Sequence, residues 1–326
     1  WAASAAGLGR SARQRRRRGE DHIVPLMGVR GAFVSAAQMI NFAIPATGSS
    51  GHLGGGLLLA ILLGPHAAFV VIASVLTVQA LFFADGGLLA LGANIFNLGV
   101  FPCFIAYPLV YRLVAGAAGS PARIVAASVG AAVIGLQLGS LAVVCQTVAP
   151  GVSSLPFESF LLLMQPIHLA IGVVEGLATA AVVLFVRRAR PDLFAPRPGG
   201  RPAPAPLRPL LVSLAVATVA IGGGVAWFAA PQPDGPGRAA PRGPGGTRRP
   251  EAGQGVHATL AALQARSSFL PDYALPSGAA ALEAEAGAHA WPAVDPGTSL
   301  AGVVGGGITL GFVWLAATLL ARRRRG

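Results

Sequence analysis

Long apolar stretches separated by short polar or glycine-rich turns run through most of the chain. A membrane hydrocarbon core of about 30 Å needs about 20 helical residues. The stretches that could cross it are 26–44, 53–64, 66–83, 88–111, 122–148, 159–187, 208–229 and 299–321. The short 53–64 stretch predicts a half-helix or a segment that crosses with help from its neighbours. The pattern predicts an all-α, polytopic membrane protein, with about six to seven transmembrane helices in a core module and two in a C-terminal module.

Polar segments divide this pattern into modules. Residues 1–190 form the predicted membrane-embedded core, and residues 191–206 are a proline-rich stretch typical of a linker. Residues 207–326 contain the last two spans, separated by the long loop 230–298, whose first part is rich in Pro, Gly and Arg and typical of disorder. The sequence therefore predicts a two-helix module fused behind a larger membrane domain.

Composition supports a membrane protein and excludes some chemistry. The chain is 54% hydrophobic and 11% charged, whereas soluble domains have about a quarter charged residues. Its formal net charge of +12 comes from arginine, because the sequence contains no lysine. This excludes the lysine of a nucleotide-binding P-loop and any Schiff-base lysine. We therefore expect no ATPase activity in this chain, and if the protein needs ATP, another chain must hydrolyse it.

The arginines lie beside apolar spans, which favours membrane anchors over a nucleic-acid surface. Arginine-bearing loops are expected in the cytoplasm, which assigns loops 10–24, 112–123, 187–208 and the C-terminus to that side. The outer loops are then 45–52, 84–87, 149–158 and 230–298. The opening residues look like the end of a helix followed by a basic loop. They predict a multi-pass cell-membrane protein whose native N-terminus lies upstream of Trp1, outside the cytoplasm.

The stretch TGSSGHLGGG, residues 47–56, surrounds His52 with small residues in a predicted outer loop. Histidine is costly in lipid and glycine weakens helices, so we interpret the stretch as allowing a small ligand access to the imidazole. Other polar residues at similar depth predict an outward-facing polar cup: Gln38, Asn41, Ser50, Asp85, Asn94 and Asn97. Ordinary interfacial caps and hydrogen bonds between helices are the alternative.

A neutral imidazole suits nickel, copper, cobalt and zinc, and square-planar nitrogen coordination favours Ni(II) or Cu(II). A free amino terminus, a backbone amide and a second histidine could complete such a site. Deeper in the membrane, His168 and Glu175 lie seven residues apart on one helix face. We expect a structural or coupling role for this pair rather than a second metal site.

Three segments carry a resemblance to a known family: residues 24–68, the motif ADGGLLALGANIFNLGV, and the motif PIHLAIGVVEGLATAAVVLFVRR. They resemble the nickel/cobalt substrate-binding component of energy-coupling factor transporters. The resemblance implies that an N-terminal Met-His pair and His52 bind Ni(II) or Co(II) as the transported substrate. Residues 1–326 contain no such pair, which predicts weak metal binding by this chain alone. The motifs LPDYALP and TSLAGVVGGGITL resemble the family's small two-helix partner. The resemblance implies a transporter subunit that is not an enzyme and has no bound cofactor. Its expected partners are a transmembrane coupling protein, cytoplasmic ATPase subunits and the lipid bilayer.

Two other functions are consistent with parts of the sequence. An ion-gradient-coupled metal carrier working without an ATPase would use His168 and Glu175. An intramembrane hydrolase would use Ser49 or Ser50 with a histidine base, but no third group to orient that base is recognisable.

Overall fold

A computed structural model describes residues 23–44, 49–116, 119–151, 155–190, 208–229, 255–273 and 296–322. Within these ranges the chain is mostly helical, and six helices are long and apolar enough to cross a membrane. They are Pro65–Phe82, Leu91–Ala115, Pro121–Val148, Phe157–Ala189, Arg208–Phe228 and Pro296–Ala316. The prediction of a helical, polytopic membrane protein is confirmed.

Helices and strands follow one another in two groups. In the core module they are α1 (Ile23–Gln38), β1 (Asn41–Ile44), β2 (Ser49–His52), α2 (Gly56–Leu63), α3 (Pro65–Phe82), α4 (Leu91–Ala115), α5 (Pro121–Val148) and α6 (Phe157–Ala189). In the C-terminal module they are α7 (Arg208–Gly223), with a 3₁₀ turn at Val225–Phe228, α8 (Val256–Ser267), with a 3₁₀ turn at Pro271–Tyr273, and α9 (Pro296–Arg322).

The predicted 26–44 span is wrong at its C-terminal end. Helix α1 stops at Gln38, and Asn41–Ile44 forms a strand that pairs antiparallel with Ser49–His52. The paired stretch contains the apolar residues Phe42 and Ile44 beside serine and glycine. Its local pattern therefore looks like a continuation of the apolar helix. Pairing with residues further along the chain is what ends the helix and adds a β-hairpin to a helical fold.

Helix α2 is a short buried element at the centre of the core module. Its 8 residues extend about 12 Å at 1.5 Å per residue, too little to cross a membrane unaided. Leu57 and Leu59 are completely buried, so the helix contacts neighbouring helices rather than lipid. Gly64 follows with a φ of +80°, and Pro65 begins α3. This break lets two consecutive apolar helices pack against each other.

Helix α4 has an unusual backbone, because residues Phe96–Tyr111 are π-helical and contain Pro102 and Pro108. Proline has no backbone N–H and disrupts ordinary helical bonding. Gly99 lets this wide helix approach α3, since a Cβ on Gly99 would lie 2.7 Å from the Phe69 ring. The apolar pattern of this span predicted a helix but not its π-helical geometry.

The C-terminal module packs along α1. Helix α9 contacts α1 through Gly31, where a Cβ would lie 3.2 Å from a Val313 methyl carbon, and Thr309 donates a hydrogen bond to Ser35 at 3.3 Å. Helices α7 and α9 approach closely at Gly222 and Gly302, whose backbones are in direct contact. Small residues at such crossings allow the close backbone approach that stabilises helix pairs in membranes.

Residues between α7 and α9 dock on the turn that follows α3. The Tyr273 hydroxyl donates to Asp85 at 2.6 Å, and its ring stacks on Phe83 with centroids 4.8 Å apart. Ser267 donates to the Leu81 carbonyl at 2.7 Å, and Gln264 accepts the Leu88 N–H at 3.0 Å. The two modules therefore contact each other at the end of α3 as well as along α1.

Several predicted features lie outside the described residues: the basic loop before residue 23, the proline-rich linker 191–206, the last three arginines at 323–325, and much of loop 230–298.

Candidate functional site

The β-hairpin brings His52 opposite Asn41. The register pairs Asn41 with His52, Phe42 with Gly51, and Ala43 with Ser50. Directly opposed residues in an antiparallel pair have Cβ atoms about 4.5–5.5 Å apart. Two of the residues singled out from the sequence, separated along the chain by the turn, are therefore neighbours in space.

Hydrogen bonding assigns the tautomer of His52. Its half-buried ring has Nδ1 2.8 Å from the carbonyl oxygen of Leu53. A carbonyl accepts hydrogen bonds, so the proton is assigned to Nδ1 and the lone pair to Nε2. Across the hairpin, the side-chain oxygen Oδ1 of Asn41 is buried without a hydrogen-bond partner among the described residues. Such buried acceptors are uncommon, so the pair presents an imidazole beside an amide oxygen that can still accept a hydrogen bond.

The segment after His52 is fixed by a set of buried polar side chains that we call the Gly54 clamp: Gln38, Gln79 and Glu175. On the carbonyl side, Gln38 Nε2 donates to Gly54 O at 2.8 Å. Gln79 Nε2 in turn donates to Gln38 Oε1 at 3.1 Å. Gln38 and Gln79 are 1% and 3% exposed, so these bonds are made away from water. Helices α1 and α3 are thereby linked to the turn beside the imidazole.

On the amide side of the Gly54 clamp, Glu175 accepts two backbone N–H groups. Its Oε2 lies 2.7 Å from Gly54 N and its Oε1 lies 3.0 Å from Gly55 N. Glu175 is 4% exposed, and a buried carboxyl group needs such donors. The residue predicted to have a structural or coupling role thus contacts the segment that carries the predicted ligand.

His168 lies nearer the hairpin than Glu175 along α6. Its Nδ1 is 2.8 Å from the Met164 carbonyl oxygen, which assigns the proton to Nδ1. Its Nε2 faces β2, since a Cβ on Gly51, the residue before His52, would lie 3.4 Å from it. The sequence predicted that His168 and Glu175 lie deeper than the cup, and the fold brings both beside His52.

The glycines around His52 have a different role from the one we predicted, because they fill packed positions instead of leaving open space. Gly51 and Gly54 are buried against α6. Gly55 has a φ of +71°, and a Cβ there would lie 2.5 Å from a Val34 methyl carbon. A Cβ on Gly56 would lie 2.6 Å from the Leu98 carbonyl oxygen. Absence of side chains lets the segment pass between α1, α4 and α6.

Three of the remaining predicted cup residues form side-chain hydrogen bonds, and the fourth is buried in a strand. Ser50 is buried in β2. Asp85 accepts the Tyr273 hydroxyl in the turn after α3, and Asn94 donates to Gly86 O in the same turn at 3.4 Å. Asn97 pairs with Gln146 of α5 through two side-chain bonds of 2.9 and 3.2 Å. Asp85, Asn94 and Asn97 therefore each have a hydrogen-bond partner within the fold.

Three residues that complete these networks were not predicted from the sequence: Gln79, Gln146 and Tyr273. Gln79 and Gln146 are amides inside largely apolar spans, and polar residues in membrane helices commonly bond to a neighbouring helix. That signal was available. The contact of Tyr273 with Asp85 spans 188 residues of sequence and has no local signal.

Among the described residues, no three His, Cys, Asp or Glu side chains gather into a group that could hold a metal ion. What the described site provides is a fixed imidazole, a neighbouring amide oxygen and a rigid backbone turn. Together with the six apolar spans, it defines an integral membrane protein with a buried polar site at the hairpin end of its helices.

Comparison with known families agrees with the resemblance in the sequence. Residues 1–193 match the family described as cobalt uptake substrate-specific transmembrane region, and residues 208–322 match the PDGLE domain. Since the first match takes in more than half of the chain, the protein belongs to the cobalt uptake substrate-specific transmembrane region family, with a PDGLE domain fused behind it. The predicted likeness to a substrate-binding component joined to its small partner is confirmed.

Individual relatives include fused and separate transport proteins. The fused nickel transport protein NikMN of Rhodobacter capsulatus is 34% identical over 275 residues, which cover 77% of each chain. The cobalt transport protein CbiM of Geobacter sulfurreducens is 34% identical over 206 residues, covering 59% of this chain and 56% of that protein. A putative fused nickel transport protein of Archaeoglobus fulgidus is 39% identical over 176 residues, covering 53% of this chain and 56% of its own length. A crystal structure of a truncated transition metal transporter shares 30% identity over 58% of this chain and 91% of its own, with a TM-score of 0.47.

Proposed function

We propose that this protein is the substrate-binding membrane subunit of an ATP-driven Ni(II)/Co(II) importer and captures the metal on the extracytoplasmic side. Support comes from membership of a cobalt uptake family and from relatives named as nickel or cobalt transport proteins. The lysine-free sequence contains no P-loop lysine. ATP hydrolysis therefore falls to separate cytoplasmic ATPase subunits, joined to this chain by a transmembrane coupling protein.

The observation that carries the proposal is the fixed position of His52 opposite Asn41. Nickel and cobalt bind neutral imidazole well, and the lone pair of His52 is assigned to Nε2 by its bond to Leu53 O. The buried Asn41 oxygen, with no hydrogen-bond partner among the described residues, is an acceptor for a metal-bound water or amine. The Gly54 clamp fixes the backbone next to the imidazole, which reduces the ordering needed when metal binds.

One imidazole does not complete a metal site. The resemblance implies an N-terminal Met-His pair as the source of further nitrogen ligands, and residues 1–326 contain no such pair. An amino terminus, a backbone amide and a histidine ring together with His52 would form a square-planar nitrogen set, which favours Ni(II). We therefore expect tight binding where such a Met-His pair is present at the amino terminus.

The test is a calorimetric titration of nickel and cobalt into purified protein that carries a Met-His amino terminus. His52→Ala should abolish tight binding, and binding by the unmodified protein should weaken as the pH falls towards about 6, because the imidazole must be neutral to bind metal. His66→Ala is the matched control, since His66 is also half-buried but packs edge-on against Phe104, with centroids 5.3 Å apart. Unchanged affinity in His52→Ala would refute the ligand assignment.

Metal uptake in cells separates this mechanism from the ion-gradient-coupled carrier. Uptake that stops when the ATPase subunits are inactivated supports the importer. Uptake by the isolated chain that ignores ATP depletion and collapses with the proton gradient supports the carrier. The bonds from Gly54 and Gly55 to Glu175 favour the importer, because they give that carboxylate a structural role instead of one as a proton carrier.

A further inference from the structure

A cavity of about 280 Å³ opens at the end of the helices opposite the hairpin. Its lining comes from the ends of α2, α4 and α6 and the start of α5, and includes Tyr107, Tyr111, Arg112, Gly119, Ile124 and Arg187. This volume is near the lower limit of pockets that take small ligands. The proposed metal site does not use it.

The cavity is positively charged, because its described lining includes two arginines and no carboxylate. Arg187 Nη1 donates to the Gly119 carbonyl at 2.7 Å, which fixes the guanidinium at the wall. A guanidinium has five N–H donors in a planar fork, so this bond leaves donors for a ligand. Arg112 is exposed at the end of α4. An anion with several oxygens suits this arrangement.

Two further features favour a phosphate group. The 28-residue helix α5 begins at Pro121, beside Gly119, and helix N-termini favour anions through their dipole. Tyr107 and Tyr111 line one wall, with ring centroids 6.0 Å apart in a stacked arrangement, and tyrosine hydroxyls donate hydrogen bonds to phosphate oxygens. The donor set combines guanidinium and phenol groups at one place.

The surroundings indicate where the phosphate comes from. Leu109 and Leu113, on the same helix as Arg112, are 62% and 71% exposed. In a membrane Leu109, which lies nearer the middle of the helix than Arg112, faces acyl chains while the arginine lies at the headgroup level. Basic pockets between transmembrane helices bind the head groups of anionic lipids. We infer that this cavity binds the phosphodiester head group of an anionic phospholipid whose acyl chains cover Leu109.

The test compares lipids that remain bound to the full chain. Protein in nanodiscs of equal parts phosphatidylglycerol and phosphatidylcholine, with identical acyl chains, is released and analysed by native mass spectrometry. The unmodified protein should retain phosphatidylglycerol in preference. Arg112→Gln and Arg187→Gln should each lower that preference roughly fivefold. Arg188→Gln, an exposed neighbour on α6 that does not line the cavity, should leave it unchanged.

Defined outcomes would overturn the inference. Equal retention of both lipids by the unmodified protein, or an equal loss in Arg188→Gln, would mean that no specific site exists. Displacement of the lipid by inorganic phosphate at equal concentration would mean a site for free anions. Arg112→Gln is not expected to disturb folding, because the Arg112 side chain is exposed. If only Arg187→Gln lowered the lipid preference, and its melting temperature also fell, the result would count against the lipid site. If Arg112→Gln and Arg187→Gln lost binding to the coupling protein but retained lipid unchanged, the cavity would be part of a protein-binding surface instead.

Discussion

Replacing Glu175 by glutamine tests whether the Gly54 clamp positions His52. The carboxylate accepts N–H groups from Gly54 and Gly55 at 2.7 and 3.0 Å in a buried setting. The glutamine amide has the same size but only one accepting oxygen. Its NH₂ group would face the second backbone N–H, and neither could accept from the other.

The expected cost follows from those two bonds. Losing a hydrogen bond to a charged group and leaving a buried N–H without an acceptor costs about 2–4 kcal/mol. The turn can recover part of this by shifting away from α6, and His52 would then shift with it. If returning His52 to its original position costs about 2 kcal/mol when metal binds, the Kd for metal rises about 30-fold. Both the free energy of unfolding and the metal affinity should therefore fall in Glu175→Gln.

The assay pairs nickel titration with chemical unfolding of the same preparation, in protein that carries a Met-His amino terminus. Glu158→Gln is the matched control, because Glu158 lies exposed in the first turn of the same helix. It should change neither quantity. If Glu175→Gln bound nickel with unchanged affinity and unfolded at the same denaturant concentration, the clamp would not position the ligand. Loss of stability alone would limit Glu175 to a structural role.

Two further predictions concern backbone space and the contact between modules. Gly55→Ala should destabilise the protein by about 2 kcal/mol or more, since the residue has a φ of +71° and its Cβ would lie 2.5 Å from a Val34 carbon. Thermal unfolding measures this loss of stability. The control is Gly307→Ala, because no described atom lies within 4 Å of the Cβ added there. Tyr273→Phe should cost about 1.5 kcal/mol by removing the hydroxyl bonded to Asp85 while keeping the stacked ring. Protease cleavage of the 255–273 segment should become faster, and an unchanged rate would show that the bond does not stabilise docking.

The membrane spans could be predicted because apolar composition is a local property. Stretches such as 66–83 and 122–148 match Pro65–Phe82 and Pro121–Val148 within about one residue at each end. The end of α1 could not be predicted, because it depends on pairing between Asn41 and His52 across a turn. Where propensity and non-local pairing disagree, the pairing determines the structure.

The candidate site was predicted only in its residue types. His52, Gln38 and Asn41 do lie in one region, yet Gln38 contacts the backbone of Gly54 instead of facing an open cup. Glu175 is 121 residues from its Gly54 partner. Such contacts depend on how helices pack, and that packing is not encoded in any local spacing.

Docking of the 255–273 segment on the turn after α3 has a further consequence, because both surfaces belong to one polypeptide. Association within one polypeptide depends on an effective concentration set by the connecting chain, and it loses less entropy than association of two separate molecules. The hydrogen bonds and the stacked ring at this turn then add to the packing of α9 against α1, and dilution cannot separate either contact. Fusion also fixes the stoichiometry at one to one, whatever the expression level.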